Sequence, residues 1–251
     1  MSGGAPRVEL HQFRYSHYNE KVRWALDYKR IEHERIDYLP GPHAPQILRL
    51  SGQRATPVVR IDGRVISGSA AIIAELESRF PQRPLYPSDA AARREALAIE
   101  QRCDEELAPA SRRMVYDGML ATPSYIASMF SSGKERWKKV LYRAAIPLIK
   151  ELMRAGNGVT DQSVARARIT VSEFLDWVAQ KSARTGYLVG DSFTVADLAA
   201  AALLSPILRT RHVDVAKPEP MPQRLREIID GVEAHPAAAW VHEQYRRHRT
   251  P

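Results

Sequence analysis

The sequence is poor in cysteine: Cys103 is the only one among 251 residues. A single cysteine allows no intrachain disulfide, no C-x-x-C redox pair and no cysteine-based metal cage. None of the eight histidines stands three or four residues from another, so a metal site is not expected. No apolar run approaches the roughly 18 residues of a membrane-spanning helix, and the first six residues have no apolar signal core. A soluble, cytoplasmic protein is therefore the expectation.

Acidic residues are outnumbered, since Lys and Arg total 37 against 29 Asp and Glu, for a net charge of +8. This excess favours anionic partners but does not choose among nucleic acid, a membrane surface and small acids. The basic cluster Arg246–Arg249 is interpreted as a solvated helix end, where cations are stabilised, rather than as a nucleic-acid patch. Neither a nucleic-acid nor a membrane partner is predicted.

The first eighty residues alternate between strand and helix periodicities. Asp62-Gly63 stands between two runs rich in β-branched residues, which predicts a tight hairpin. The resulting order is β-α-β-α-β-β-α. Its segments are a strand at 7–13, a helix at 17–29, a strand around Ile36 and Tyr38, a short helix at 47–50, the hairpin at 57–66 and a helix at 69–80.

Three prolines within residues 81–87 predict a linker between two domains, because proline disrupts both helix and strand. The predicted domains are residues 1–82 and 88–251. The second is expected to be all helical, with a buried central helix at 194–208 that is apolar almost all round. Its other predicted helices are 137–152, 164–178, 223–231 and 237–247, preceded by a stripe of Ile99, Cys103, Leu107, Ala110 and Met114.

Ser16 stands where the first strand gives way to the first helix. A serine at such a junction is first of all a helix N-cap. A hydroxyl has one donor and two acceptor lone pairs. Ser16 can therefore cap the helix and still donate its proton to a bound group.

Two further motifs offer backbone groups to a ligand. Pro57 opens a strand, where its missing N–H costs no ladder bond, and a cis Thr56-Pro57 bond would turn the Thr56 backbone toward an extended peptide. Ser69 is predicted to cap the next helix. That helix starts with alanines, so its first N–H groups stay open to a carboxylate.

The order and spacing of these motifs resemble the thioredoxin-like domain of soluble glutathione transferases of the serine type, as found in bacteria. Leu85-Tyr86-Pro87 resembles the linker of that family. Gly190–Asp197 resembles its capping motif in the C-terminal domain, with Thr194 and Asp197 forming a capping box. The resemblance spans about residues 7–249. It implies an α/β thioredoxin-like domain followed by an all-α helical bundle.

The resemblance also implies roles for individual residues. Ser16 would stabilise the glutathione thiolate, with Tyr15 as the alternative hydroxyl donor. Thr56, next to a cis Pro57, would bind the cysteinyl part of glutathione through its backbone. Ser69 would bind the γ-glutamyl carboxylate.

Three more positions follow from the resemblance. Gln53 and Arg54 lie near where the glycyl carboxylate is held. Gly68 departs from the family, whose members mostly carry Glu, Gln or Asp there to hold the γ-glutamyl group. The electrophile pocket should lie between the thiolate and the first helices of the second domain, with Arg113, Met114, Tyr116 and Met119 as candidates.

The implied function is transfer of glutathione, as co-substrate, to a small hydrophobic electrophile without a metal. Two alternatives stay open: a related glutathione-dependent isomerase, lyase or peroxidase, or a non-catalytic binding protein, which Gly68 favours. The family implies a homodimer through the helix starting at Ser69 and the helix after the linker.

Overall fold

The computed structural model describes residues 6–249, and its first part is built on a four-stranded sheet. The strands β1 (Val8–Gln12), β2 (Glu34–Asp37), β3 (Val58–Ile61) and β4 (Arg64–Ser67) lie in the order β2-β1-β3-β4. β1 pairs parallel to β2 and antiparallel to β3, with Leu10 opposite Val59. All five residues of β1 are buried, as expected for a central strand covered on both faces.

Three helices cover this sheet: α1 (His17–Tyr28), α2 (Ala44–Ser51) and α3 (Ser69–Arg79). The predicted order β-α-β-α-β-β-α is confirmed. The β3–β4 hairpin turns at Asp62 and Gly63, which have φ values of 49° and 89°. Positive φ at both central residues is the geometry that favours Asp-Gly in such turns.

Residues 80–89 contain neither helix nor strand. Leu85 is nevertheless fully buried, and its carbonyl accepts a hydrogen bond from the Val195 N–H at 2.8 Å. The N–H groups of Leu85 and Tyr86 donate to the Glu77 carboxylate. The boundaries 1–82 and 88–251 stay a prediction, with this segment as the predicted linker.

The described remainder of the chain is helical, which confirms the predicted fold class. The helix α9 is buried along its whole length, as its apolar sequence predicts, and packs against α1 and α4. The helices are α4 (Ala90–Arg102), α5 (Ala108–Met119), α6 (Pro123–Ser131), α7 (Arg136–Gly156), α8 (Asp161–Ser182), α9 (Val195–Leu204), α10 (Gln223–Glu233) and α11 (Pro236–His248). No helix within residues 6–249 is long and apolar enough to cross a membrane.

Two helical features have no counterpart in the sequence prediction. One is α6. The other is a π-helical segment, Cys103–Leu107, which joins α4 to α5. In this segment the Ala108 N–H bonds to the Cys103 carbonyl, and Pro109 has no N–H to give to the carbonyl four residues before it. The predicted stripe from Ile99 to Met114 is buried across this junction.

The start of α9 carries the predicted capping box. The Asp197 carboxylate accepts the Thr194 N–H and the Thr194 hydroxyl, both at 2.9 Å, and the Leu188 N–H at 2.7 Å. Burial raises the pKa of Asp197 to about 6, although these hydrogen bonds act in the opposite direction. The carboxylate therefore fixes the loop before α9 as well as the helix start.

The basic cluster at the end of α11 differs from the expectation of a solvated helix end. Arg246 and Arg247 are exposed and pair with Glu243. Arg249, in contrast, has a fully buried side chain that forms ion pairs with Glu20 and two further carboxylates, Asp27 and Asp214. The prediction was wrong for Arg249 because these carboxylates come from segments far away in the sequence.

Candidate functional site

A cavity of about 700 Å³, here called the interdomain cavity, lies between the β1–α1 junction and the helices α5, α6 and α7. Its walls bring together residues from both parts of the chain. From the first part come Phe13, Tyr15, Ser16, His17, Arg54 and Thr56, and from the helical part Arg112, Val115, Tyr116, Met119, Phe130 and Met153.

Ser16 is the N-cap of α1, as predicted. It has extended backbone angles (φ −90°, ψ 126°), and its Oγ accepts the Asn19 N–H at 3.4 Å. This contact uses one acceptor lone pair and leaves the hydroxyl proton for another partner. The hydroxyl thus lies on the cavity wall at the positive end of the α1 dipole.

Tyr15 lines the same cavity. It follows β1 in a turn, and its ring meets that of Phe130 edge-on at 6.3 Å between centroids. Its side chain is partly exposed rather than enclosed in the core. Both hydroxyl candidates therefore lie at the interdomain cavity, but only Ser16 starts a helix.

A second cavity of about 320 Å³, here called the α3 cavity, adjoins the start of α3. Gly68 and Ser69 line it, with Thr56, Pro57 and Asp104. The Thr56-Pro57 bond is cis, as expected, and the Thr56 Oγ1 accepts a hydrogen bond from the Asn19 side chain at 3.0 Å. Thr56 lines both cavities.

Ser69 occupies a different position in α3 from the predicted one. The N-cap is Gly68, and Ser69 is the first helical residue. Gly68 has φ 89° and ψ 133°, a backbone conformation that residues other than glycine rarely adopt. The capping prediction for Ser69 was wrong because the chain turns into the helix through this glycine. Ser69 still lies at the helix start, where N–H groups have no acceptor within the helix.

Gln53 and Arg54, which follow α2 and were predicted near the glycyl carboxylate, differ in their position relative to the cavities. Arg54 lines the interdomain cavity. Gln53 is exposed and lines neither of these two cavities.

Asp104 is a site residue that the sequence did not reveal. It comes from the π-helical segment, and its Oδ2 lies 2.7 Å from the Nζ of Lys21, which also lies 2.9 Å from Glu100. The Tyr18 hydroxyl donates to the Asp104 carbonyl at 2.7 Å. These contacts from α1 hold an acidic group of the helical part beside Gly68 and Ser69.

Known proteins match both parts of the chain. A model of the glutathione S-transferase N-terminal domain matches residues 10–84, and a model of the C-terminal domain matches residues 161–241. Together they cover more than half of the chain. The chain belongs to the glutathione S-transferase family.

Two curated relatives match parts of this glutathione S-transferase. "Glutathione S-transferase 1" of Dianthus caryophyllus is 35% identical over 91 residues, which are 35% of this chain and 41% of the relative. The maleylacetoacetate isomerase of Dictyostelium discoideum is 27% identical over 157 residues, 61% of this chain and 69% of the relative. The match thus spans less than half of the first relative's length.

The fold is shared with solved structures as well. One is a glutathione S-transferase from Methylobacterium radiotolerans in complex with glutathione sulfonate, with a TM-score of 0.57 and 23% identity. It covers 93% of this chain, and this chain covers 93% of it. At this identity the likeness shows the fold alone.

Of the four residues of α5 predicted to line the electrophile pocket of this glutathione S-transferase, two line the interdomain cavity and two do not. Tyr116 and Met119 line the interdomain cavity as predicted. Met114 belongs to the core stripe, and the Arg113 side chain donates to the Asn157 carbonyl at 3.2 Å. The arginine on the cavity wall is the preceding one, Arg112.

His17, next to Ser16, is the second residue that the sequence did not single out. Its side chain is buried, and its Nε2 has no hydrogen-bond partner within residues 6–249. Burial, and then the positive charge of Arg112, lower the pKa of His17 to about 3, against a weaker effect of the Ala108 backbone. The imidazole is therefore neutral near pH 7. Adjacency to Ser16 was the only signal that could have pointed to it.

Proposed function

We propose that this protein binds glutathione, ionises its thiol beside Ser16 and transfers the thiolate to an electrophile held in the interdomain cavity. The observation that carries the proposal is the position of Ser16. Its hydroxyl caps α1 at the wall of a large cavity that also contains Thr56 and adjoins the start of α3.

Glutathione would extend from the interdomain cavity into the α3 cavity. Its cysteinyl backbone would pair with the Thr56 backbone, in the manner of an added β-strand. Its γ-glutamyl carboxylate would meet Ser69 and the free N–H groups of α3. Arg54 is the residue placed to attract the glycyl carboxylate, whereas the exposed Gln53 would have to turn inward.

Asp104 gives the γ-glutamyl ammonium a partner that Gly68 cannot. Gly68 has no side chain, and Asp104 places a carboxylate in the same cavity. The Lys21 ammonium neutralises part of that charge, so the contact is weaker than one with an unpaired carboxylate. Asp104 would thus take the role that an acidic side chain at position 68 has in most of the family.

The thiolate would be favoured by two features. A thiol with a pKa near 8.5 is mostly protonated at neutral pH, and the thiolate is the nucleophile. The α1 dipole contributes about 0.3–1 kcal/mol, up to about 2 when partly buried. Because one pKa unit equals about 1.4 kcal/mol, the dipole and the Ser16 hydroxyl together supply about one to two units.

The electrophile would lie against the apolar wall of α5, α6 and α7. With an aryl halide, the sulfur forms a bond to the ring carbon and the halide leaves with its bonding electrons. The fixed distance between thiolate and electrophile supplies much of the rate. This wall consists of Val115, Met119, Met129, Phe130, Ile149 and Met153.

A second candidate function is isomerisation of an unsaturated substrate. It is favoured by the match of 157 residues to a maleylacetoacetate isomerase. The same thiolate would add to a double bond and leave again after rotation, so that glutathione is not consumed. A binding protein without activity is the third reading.

Three experiments separate these functions. Calorimetry tests glutathione binding at millimolar concentration. The ultraviolet absorbance of the thiolate, titrated in the complex, gives the pKa of the bound thiol. A generic aryl-halide assay then tests transfer. Binding with a lowered thiol pKa supports either enzyme, and release of the thioether product supports the transferase. If the folded protein binds no glutathione at millimolar concentration, the proposal is wrong.

We also propose that the chain forms a cytoplasmic homodimer through α3 and α4, with the thioredoxin-like domain at residues 1–82. The support is membership of a family in which this assembly is usual. Sedimentation at several concentrations tests the dimer: a single species with the mass of one chain would exclude it.

A further inference from the structure

Building on the proposed function, we propose that the electrophile carries a carboxylate, which the Arg112 guanidinium binds in the interdomain cavity. The inference names the substrate class of this site. It rests on the positive charge of the cavity walls and on the absence of a hydrogen-bond acceptor for the Arg112 Nε within residues 6–249.

Arg112 has no partner for its buried Nε. This atom is shielded from solvent, and no acceptor within residues 6–249 reaches it. None of the ion pairs within residues 6–249 involves its guanidinium, in contrast to the pairs of Arg23 and Arg249. A guanidinium that is partly out of water without an acceptor or counter-ion is costly, and an anionic ligand removes that cost.

The other arginines held inside the protein do have partners. Arg23 and Arg249, with fully buried side chains, each pair with the buried Glu20 and with Asp214. Arg113, one position along α5, donates to a backbone carbonyl. Arg112 thus differs from its immediate neighbour in sequence and from the buried arginines of the core.

The cavity as a whole is basic. Its charged lining residues are Arg54 and Arg112, and neither aspartate nor glutamate lines it. Burial, and then the charge of Arg112, lower the pKa of His17, so this histidine adds no further positive charge. A cationic electrophile would meet only repulsion there, whereas an anionic one is attracted.

Glutathione has other sites for its own carboxylates. In the proposed arrangement the γ-glutamyl carboxylate lies at Ser69 in the α3 cavity, and the glycyl carboxylate lies near Arg54. Arg112 stands on α5 with Tyr116 and Met119, on the electrophile side. Its planar guanidinium matches a carboxylate with two parallel hydrogen bonds.

A matched pair of electrophiles tests the inference: 4-chloro-3-nitrobenzoate and its ethyl ester. In both, the glutathione sulfur bonds to the chlorine-bearing carbon and chloride leaves with the bonding electrons. Only the acid carries the anion. We expect Arg112→Gln to lower kcat/KM for the acid by roughly 10–100-fold, mainly through KM, because hydrogen bonds to charged groups are of that strength. The ester should change by less than about threefold.

Arg113→Gln is the matched control, since it removes the neighbouring arginine of α5 and should leave the ratio of acid to ester unchanged. Arg112→Lys keeps the charge without the planar fork, and we expect it to retain part of the preference for the acid. It also decides the test if Arg112→Gln does not fold. An unchanged ratio of kcat/KM for the acid to kcat/KM for the ester in Arg112→Gln overturns the inference. If Arg112→Gln does not fold, the same result in Arg112→Lys overturns it.

Two results separate this inference from the proposed function. If Arg112→Gln slows acid and ester equally and raises the pKa of bound glutathione, Arg112 acts on the thiolate and the inference is wrong. If wild type transfers glutathione to neither compound, the transferase function fails. Calorimetric titration with the acid alone then still tests Arg112: binding lost in Arg112→Gln supports the carboxylate site, and equal binding overturns it.

Discussion

The Nε atom of Arg249 lies 2.9 Å from Oε1 of Glu20, and both side chains are fully buried. This pair joins the end of α11 to the helix that starts at Ser16. Burial raises the pKa of the Glu20 carboxyl, but the charges of Arg249 and Arg23 outweigh it and lower the pKa overall. The orientation of α1 therefore depends on an arginine more than two hundred residues away in the sequence.

Replacement of Arg249 by leucine should lower the free energy of unfolding by about 3–5 kcal/mol, because it removes one of the two arginines that pair with the buried Glu20 carboxylate, and the same arginine also pairs with Asp27 and Asp214. Urea denaturation measures this loss. Arg246→Leu is the matched control: its pair with Glu243 is exposed, so the change should stay below about 1 kcal/mol. Equal losses in the two variants would show that the buried network does not stabilise the fold.

Ser16→Ala should lower kcat/KM for glutathione transfer by roughly 10–100-fold, since a hydrogen bond to a charged group contributes about 1.5–3 kcal/mol. The pKa of bound glutathione should rise in the same variant. Steady-state kinetics and the thiolate absorbance measure the two effects. Tyr15→Phe is the control, and loss in Tyr15→Phe with an unchanged Ser16→Ala would assign the donor to Tyr15.

Ser69→Ala should raise the KM for glutathione while kcat stays nearly constant. Ser69 lies at the start of α3, in a different cavity from Ser16, and its ligand group is remote from sulfur. Such a contact is equally strong in the ground state and the transition state. Initial rates at varied glutathione test this, and a large fall in kcat at saturation would contradict it.

His17 should make the protein less stable in acid. Its pKa is 6.5 in the unfolded chain and about 3 in the fold, so above pH 6.5 neither state holds the proton. As the pH falls from 6.5 toward 3, the unfolded chain binds a proton that the fold excludes. The free energy of unfolding then falls by about 1.4 kcal/mol per pH unit. In His17→Gln the free energy of unfolding, measured by urea denaturation at several pH values, should fall less steeply with decreasing pH by this amount. Equal pH dependence in the variant and the wild type would refute the lowered pKa of His17.

Gly68→Ala should lower the free energy of unfolding by about 1–3 kcal/mol, because its backbone conformation strains any side chain. A Cβ at this position would meet no atom within 4 Å, so the cost is conformational and not steric. Gly68→Glu should carry the same strain, which opposes any gain in glutathione binding from the added carboxylate.

Gly231→Ala in α10 is the control for Gly68, since it has equal space and ordinary helical backbone. It should stabilise the protein by about 0.5–1 kcal/mol. Thermal unfolding of both variants gives the comparison. If both alanines stabilise the protein, Gly68 carries no strain.

Local patterns predicted the elements that local forces decide. The Asp62-Gly63 hairpin, the Ser16 cap and the apolar helix α9 each have a signature within a few residues, and each is present. Gly68 shows the limit: a serine before two alanines pointed to Ser69 as the cap, but the positive φ of Gly68 makes the glycine the N-cap. A sequence of small residues does not specify that angle.

That Arg112 and not Arg113 lines the interdomain cavity could not be predicted either, and the reason is different. Neighbouring residues on a helix point about 100° apart, so the choice between Arg112 and Arg113 requires the rotation of α5. That rotation is set by the π-helical segment before it, which wraps more residues per turn than an α-helix. No pattern in the sequence indicates this segment, which is recognised only when the Ala108 N–H is traced to the Cys103 carbonyl.

The charged contacts of α1 restrict how this protein can be recombined. Lys21 pairs with Glu100 and Asp104, Arg23 with Asp214, and Glu20 with Arg249, so three side chains of one helix have partners in the helical part. A chimera that takes its sheet and its helical bundle from different relatives would leave the buried Lys21 without a counter-ion and would leave Glu20 and Arg23 with only each other. Such a design should succeed only when each pair is exchanged as a unit.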